Sequence, residues 1–317
     1  MTYIKDYKEG DVLRGVYLCK SKQSLKAKTG KTYYSMILQD KTGNLDTKIW
    51  DVNSNGIESF DSMEYVYCEG DITSFQGKLQ GRVDRLRRAQ EGEYDPREFV
   101  PVSEKSVERM YEELLEIVDS VEFQPYHKIL NYFFRENEEI VAQFRSHSAA
   151  KTVHHGFMGG LLEHTLSVTK ICRFYTELYP ILQYDLLITA ALLHDIGKIW
   201  ELSDFPRNDY TDGGQLLGHI YIGASKIEQV ADQIPDLPRK KRDELLHCIL
   251  AHHGKLEFGS PKVPSLIEAR ALNLADDTDA KLETFAETLM KEEGRKDWFG
   301  FQKYLDSTVR WTSNPPH

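Results

Sequence analysis

Hydrophobic and polar residues alternate with a period of two along the first part of the chain. Five stretches carry the alternation: DVLRGVYLCK (11–20), KTYYSMILQD (31–40), LDTKIWD (45–51), EYVYCEGDI (64–72) and KLQGRVDRL (78–86). Successive strand side chains point to opposite faces, so each stretch is predicted to be a strand with one buried face. KTGK, KTGN and SFQGK read as turns between them, and SNGIESFDS (54–62) is long enough for a short helix. Residues 89–106 hold two prolines, several charges and few apolar residues, and read as a linker. The period then becomes helical, starting with Val107, Met110, Leu114 and Val118. The pattern predicts helices over 104–119, 125–145, 160–178, 184–196, 215–234, 239–253 and 264–292, almost throughout the chain to about residue 310. Pro235 and Pro238 break between two of them, and Gly254 can cap another.

Five strands with one helix after the third is the order of an OB-fold, a small Greek-key barrel used for single-stranded nucleic acid. Other small antiparallel barrels share this pattern. The expected class is multidomain: a small all-β OB-fold barrel followed by an all-α helical domain. The expected boundaries are 1–90 for the barrel, 91–103 for the linker and 104–317 for the helices.

A chain of 317 residues with 40% hydrophobic content can build two cores. Mean hydropathy is −0.50. No apolar run approaches the ~20 residues of a membrane span, and the opening MTYIKDYKEGD lacks the apolar region of a secretory signal. Cys19, Cys68, Cys172 and Cys248 are scattered without a CxxC, so neither a zinc ribbon nor a disulfide framework is indicated. A reducing cytoplasm is the expected compartment. The net charge of −10 conceals an asymmetry. Residues 1–92 hold 15 Lys and Arg against 13 Asp and Glu, while 93–317 hold 25 against 37. Net charge therefore does not exclude a nucleic-acid partner, because phosphate binding depends on local patches.

Within the acidic part, histidines recur at the ends of apolar runs. GGLLEHTLSV holds His164, AALLHDIGK holds His194 and Asp195, QLLGHIYIG holds His219, CILAHHGK holds His252 and His253, and LNLADDTDAK holds Asp276. A single histidine on an apolar face is ordinarily a satisfied core residue. Several helices each bringing one toward the core point instead to a metal site in a bundle interior. Imidazole with carboxylate suits Mn, Fe, Co, Ni or Zn better than Mg. A carboxylate at Asp195 can bridge two ions ~3.5–4 Å apart, the spacing of two-metal hydrolases.

The order His…His-Asp…Asp resembles the HD superfamily of metal-dependent phosphohydrolases. With a barrel ahead of HHGFMGGLLEHTLSV, LLHDIGKIWEL, GHIYIG, HHGKLEFGSP and DDTDAKL, the chain resembles the YhaM-type 3′–5′ exoribonucleases over nearly its whole length. The resemblance implies a first metal site of His164, His194, Asp195 and Asp276. It implies that Asp195 bridges to a second ion held by His219 and by His252 or His253. Spacing does not choose between the last two, because adjacent helical residues point ~100° apart. We favour His252 as ligand, with His253 as ligand or catalytic substrate contact. Lys198 matches the HDxGK lysine, a catalytic cation for phosphoryl oxygens; the alternative is a surface cation at a helix end. His155 is a candidate substrate contact or turn cap. Asp277 and Asp279 either orient ligands or are solvated.

In the barrel, Lys20, Lys22, Lys26, Lys28 and Lys31 cluster around the first inter-strand loop, with Tyr33, Tyr34 and Trp50 on nearby strands. Cations beside aromatic platforms are what single-strand binding needs. Lys26, Lys28, Tyr33 and Trp50 are the candidate contacts, although loop lysines are commonly solvated and some of these aromatics must be core. The resemblance thus implies a cytoplasmic exoribonuclease with two divalent transition-metal ions, Mn first and Co, Fe or Zn after it. It would hydrolyse single-stranded RNA from the 3′ end to nucleoside 5′-monophosphates, with single-stranded DNA as a second substrate. No membrane partner is expected, and a homo-oligomer stays open. Two alternatives stand beside it: an HD-type nucleotide or cyclic-dinucleotide hydrolase with an accessory barrel, and a nucleic-acid-binding protein with an inactive HD domain.

Overall fold

The period-two stretches form five strands: β1 (Val12–Lys26), β2 (Thr32–Asp40), β3 (Gly43–Ile49), β4 (Glu64–Phe75) and β5 (Lys78–Arg88). This computed structural model describes residues 2–100, 102–103, 105–151, 156–290 and 297–313. They divide into two units, Met1–Val102 with Phe205–Arg207, and Ser103–Asp204 with Asn208–His317.

Strand β1 is long enough to serve two neighbours. Residues 12–19 pair with β4 and residues 18–26 with β2, both antiparallel. A register shift between Cys19 and Ser21 bends the strand from one pairing to the other. A short parallel pairing of β3 with β5, Asp46–Lys48 against Gln80–Arg82, closes the barrel in the order β1-β2-β3-β5-β4. This is the OB-fold topology. The inward set includes Leu13, Tyr17, Met36, Leu38, Leu45, Ile49 and Val66.

The short helix expected over 54–62 does not form. Gly56 N–H donates to Ser54 Oγ at 3.3 Å, a local bond that favours a turn. Ile57 then bridges to Leu86, and Phe60 is fully buried against the barrel core. The segment read as a linker also carries hidden packing. The Tyr94 and Phe99 rings lie 4.0 and 5.3 Å from that of Tyr65, so the first unit extends to residue 102.

The second unit contains α1 (Val107–Asp119), α2 (Gln124–Asn131), α3 (Glu138–Ser146), α4 (Gly160–Leu178), α5 (Tyr184–Leu193), α6 (Lys198–Glu201), α7 (Asp212–Ala231), α8 (Arg239–Ala251) and α9 (Ile267–Met290). The helix expected over 125–145 is three pieces. A π-helical turn, Tyr132–Glu136, follows α2. Asn137 then leaves helical geometry and caps α3, its Oδ1 accepting from Ile140 N at 3.1 Å. Helix α5 is apolar all round and buried from Leu186 to Leu193, as a central helix must be. It packs against α2, α4, α8 and α9. The expected helix 184–196 stops at Leu193, and α6 follows after a turn. Residues 297–313 are not helical; a two-stranded hairpin forms there from β6 (Phe301–Gln302) and β7 (Ser307–Thr308). Among the described residues, no helix is long and apolar enough to cross a membrane.

Candidate metal centre

The buried histidines and acids meet at one place in the helical unit. Helix α4 supplies His164 from its second turn, and the turn after α5 supplies His194 and Asp195. Helix α7 supplies His219 just after Gly218, whose φ of +72° breaks the helix there. The end of α8 supplies His252 and His253, and α9 supplies Asp276.

Asp195 stands between two groups of ligands, with one carboxylate oxygen toward each. Its Oδ2 lies 3.3 Å from His164 Nε2 and 3.4 Å from His194 Nε2. Asp276 Oδ1 is 3.3 Å from the same His164 nitrogen. Asp195 Oδ1 faces His219 Nε2 at 3.4 Å and His252 Nε2 at 3.7 Å. Two triads have ligand atoms within 4.8 Å of one another: His164, His194 and Asp276, and His219, His252 and His253. Helix α8 ends at Ala251. Both histidines sit in the turn that follows it, with ring centroids 4.4 Å apart.

Four rings are oriented the same way. His164 Nδ1 donates to Asp279 Oδ2 at 2.7 Å, and His219 Nδ1 donates to Glu201 Oε1 at 3.0 Å. His194 Nδ1 donates to the Ala191 carbonyl at 2.8 Å, and His252 Nδ1 to the Ile249 carbonyl at 2.7 Å. With Nδ1 carrying the proton, each Nε2 is left facing the centre, as metal-binding histidines require.

Without an ion between them, the buried groups act on one another directly. Burial alone would raise the Asp195 carboxyl, but the Lys198 ammonium and then His194 outweigh it and hold it well below the usual range. Burial likewise opposes charge on His164, yet its contacts with Asp195, Asp276 and Asp279 raise that ring well above an ordinary imidazole. Burial, with His253 and His194 alongside, pushes His252 far down. It therefore stands neutral with its lone pair inward.

The fit to metal rests on uncompensated atoms. Asp195 Oδ1, His219 Nε2 and His252 Nε2 are buried without a hydrogen-bond partner, although they face one another. Buried polar atoms left unpaired are costly. Two imidazoles and a carboxylate converging this way match a divalent cation of intermediate softness.

Lys198 is not a surface cation. Its ammonium is 2.6 Å from Asp195 Oδ2 and its side chain is 15% exposed. Burial would lower its pKa, but Asp195 raises it. Asp279 is buried, holding His164 and accepting from Ser167 Oγ, whereas Asp277 is a solvated partner of Lys281 at 2.7 Å. Sequence reasoning missed Glu201, whose Oε1 also accepts from the His219 backbone N–H at 2.9 Å. The signal was an acid within the apolar run of LLHDIGKIWEL. His155 lies outside the described residues.

On the barrel, the rings of Tyr33 and Trp50 stack at 4.7 Å, and Trp50 is 51% exposed. They line a cavity of about 560 Å³ together with Lys31 and Asn53. Tyr34 turns inward against Phe60 and belongs to the core. Lys26 and Lys28 are exposed nearby in sequence, at the end of β1 and in the following turn. Lys22 is committed elsewhere, donating to the Phe60 carbonyl at 2.6 Å.

The model of the HD domain family matches residues 161–281, a span that begins just before His164 and ends just after Asp279. The chain is thus an HD-domain protein behind an OB-fold barrel. Over 289 residues it is 34% identical to the 3′–5′ exoribonuclease YhaM of Geobacillus sp. (strain WCH70), covering 91% of this chain and 88% of that protein. It belongs to the YhaM exoribonuclease family. Solved structures similar over the barrel include the SSB domain of a Synechococcus sp. protein, with 14% identity, 26% of this chain, 98% of that one and a TM-score of 0.22. Another is the second OB-fold domain of replication protein A from Methanococcus maripaludis, with 16% identity, 29% of this chain, 96% of that one and a TM-score of 0.22.

Proposed function

We propose that this protein is a metal-dependent 3′–5′ exoribonuclease that removes nucleoside 5′-monophosphates from single-stranded RNA, with single-stranded DNA as a second substrate. The observation that carries the reading is Asp195, whose two oxygens each face a separate set of histidines. The ligand sets would be His164, His194, Asp276 and Asp195 Oδ2 for one ion, and His219, His252, His253 and Asp195 Oδ1 for the other. Bound ions of this kind activate water and stabilise the charge that develops on the attacking and leaving oxygens. The chain's own residues do the rest. Asp279 and Glu201 keep His164 and His219 in the correct orientation. Lys198, cationic beside Asp195, is placed to neutralise a phosphoryl oxygen. His253, the half-buried member, is placed to meet the strand, and His155 is proposed as a further substrate contact from its position in the sequence. The barrel captures the strand on Tyr33 and Trp50, with Lys26 and Lys28 on its phosphates, and the helical unit cuts it. We place the protein in the cytoplasm, where its four buried, unpaired cysteines would stay reduced.

The test is 5′-end-labelled single-stranded RNA incubated with and without metal. A ladder shortening from the 3′ end is expected, with nucleoside 5′-monophosphates as the product. Mn²⁺ or Co²⁺ should support faster turnover than Mg²⁺ at equal concentration, because imidazole ligands favour them. Immediate release of the 5′ label, or a clear Mg²⁺ optimum, would sink the reading. Metal content separates the paired histidines. His252→Ala should lose one ion, and His253→Ala should keep both with weaker affinity. The reverse order would exchange their roles.

The barrel has its own test. Trp50→Ala should raise KM for long RNA by roughly 5- to 150-fold, the range of one lost stacking contact worth ~1–3 kcal/mol. Turnover of a dinucleotide should persist. Charge reversal at Lys26 and Lys28 should flatten the salt dependence of binding, since fewer counterions are released. Unchanged KM and salt slope in all three variants would leave the barrel without a role in capture.

A further inference from the structure

The helical unit holds a second concavity that the metal centre does not use. A cavity of about 230 Å³ lies among the π-helical turn, α3, α6 and α7. Tyr132, Glu139, Gln143, Trp200, Lys226 and Gln229 line it. This is below the ~300–1,000 Å³ of sites for drug-sized ligands. It holds one base-sized ring and is too small for an oligonucleotide; Glu139 and Gln229, exposed at its rim, leave the sugar and phosphate of a mononucleotide to extend outside it.

Some of its polar groups are committed, Asn137 to the α3 cap and to Tyr132, and Gln233 to the Gln229 carbonyl, but three side chains carry no hydrogen bond or ion pair among the described residues. Lys226 Nζ sits 5.2 Å from the Trp200 ring centroid, half-buried, and has no ion-pair partner among the described residues. The side-chain amides of Gln143 and Gln229 likewise have no hydrogen-bond partner there. An aromatic face, two open amides and an unpaired ammonium are complementary to a nucleotide. The ring packs on Trp200, the amides pair with its donor and acceptor edge, and the ammonium meets the phosphate. Glu139, exposed, can accept a ring N–H but repels phosphate, which directs the phosphate toward Lys226.

The cavity shares its wall with the metal centre. Helix α6 has four residues. Lys198 reaches Asp195 and Glu201 holds His219, while Trp200 between them lines the cavity. Helix α7 carries His219 and, seven residues later, Lys226 on the same face, about 10.5 Å along the axis. A ligand that moves Trp200 or Lys226 acts on the two elements that position the second triad.

We propose that this cavity binds a nucleoside monophosphate and that its occupancy changes metal affinity at the His219, His252 and His253 triad through α6. The binding half is independent of the proposed reaction; the coupling half rests on that triad being a metal site.

The experiment is titration calorimetry on the full chain carrying Asp195→Asn, without metal, so that the metal centre offers no ion for phosphate. The probes are AMP and GMP, with guanosine and inorganic phosphate as comparators. One saturable site is expected for the nucleotides, and Lys226→Met should weaken it at least tenfold while leaving the circular dichroism spectrum unchanged. Guanosine and phosphate alone should bind more weakly than GMP. Absence of binding, or binding indifferent to Lys226→Met, overturns the site and puts any bound nucleotide elsewhere. In the otherwise wild-type chain, saturating nucleotide should shift apparent Mn²⁺ affinity by about fivefold or more, and Lys226→Met should abolish the shift. Unchanged Mn²⁺ affinity overturns the coupling. Failure of RNA hydrolysis would count against the proposed reaction and leave the binding result standing.

Discussion

Asp195→Asn is expected to yield a folded protein that retains no stoichiometric metal and does not degrade RNA. The substitution keeps side-chain volume, so the turn after α5 has no steric reason to move. It removes the negative charge that faces both triads. An amide presents one weak oxygen donor, and its NH₂ would face the imidazole nitrogens or the Lys198 ammonium, 2.6 Å from the present carboxylate. Turnover should fall by at least ~10²–10³, the loss seen when one preorganised electrostatic group is removed. The fall should be larger if both ions leave together. Elemental analysis of the purified variant, beside its far-ultraviolet circular dichroism spectrum, checks this. A variant with both ions and normal turnover would show that Asp195 does not bridge.

Gly197→Ala should also disable the centre, by a different route. Gly197 has ordinary helical φ, so backbone conformation does not require glycine. Space does. A Cβ at this position would lie 2.0 Å from the His219 carbonyl oxygen and 2.7 Å from the Gly223 nitrogen. Both are backbone atoms of α7, which cannot rotate aside. Helices α6 and α7 must separate, and His219 must move away from Asp195. Overpacking of this kind costs about 1–3 kcal/mol. For a domain of this size that lowers Tm by roughly 2–12 °C. The expected signature is one ion in place of two, with RNA turnover reduced beyond what the loss of stability explains. Metal content and a thermal melt on the same preparation measure both effects. A variant with unchanged Tm and two ions would mean that α6 and α7 are not packed as described.

Glu201 and Gly197 belong together in this respect. Glu201 is not distinctive in a string of residues, because acids end many helices, and Gly197, although part of HDxGK, shows there no reason to be glycine. Their roles appear only when α6 lies against α7. Asp279 is similar: it was indistinguishable from Asp277 in LNLADDTDAK. The two differ by two positions on α9, enough to put one against His164 and the other beside Lys281 in solvent.

What sequence determined by itself was local facing. Alternation over 11–20, 31–40, 45–51, 64–72 and 78–86 placed five strands, because a strand's period of two is set by backbone geometry. Apolar runs ending in His or Asp identified the buried residues that need a partner, because desolvating them is costly wherever they lie. Tertiary structure decided the rest. Asn137, by capping α3, divided a predicted helix whose hydrophobic period runs on through the break. Residues 54–62 form a turn and an irregular stretch because Phe60 takes its place in the barrel core. The position of α7 against the end of α8 brought both adjacent histidines within reach of His219, which spacing along α8 could not show. Only the packing of α4, α8 and α9 around α5, with α7 against α6 and α8, gave each oxygen of Asp195 its own set of imidazoles. Periodicity records which way a side chain faces within its own element. It carries no information about which other element it will meet.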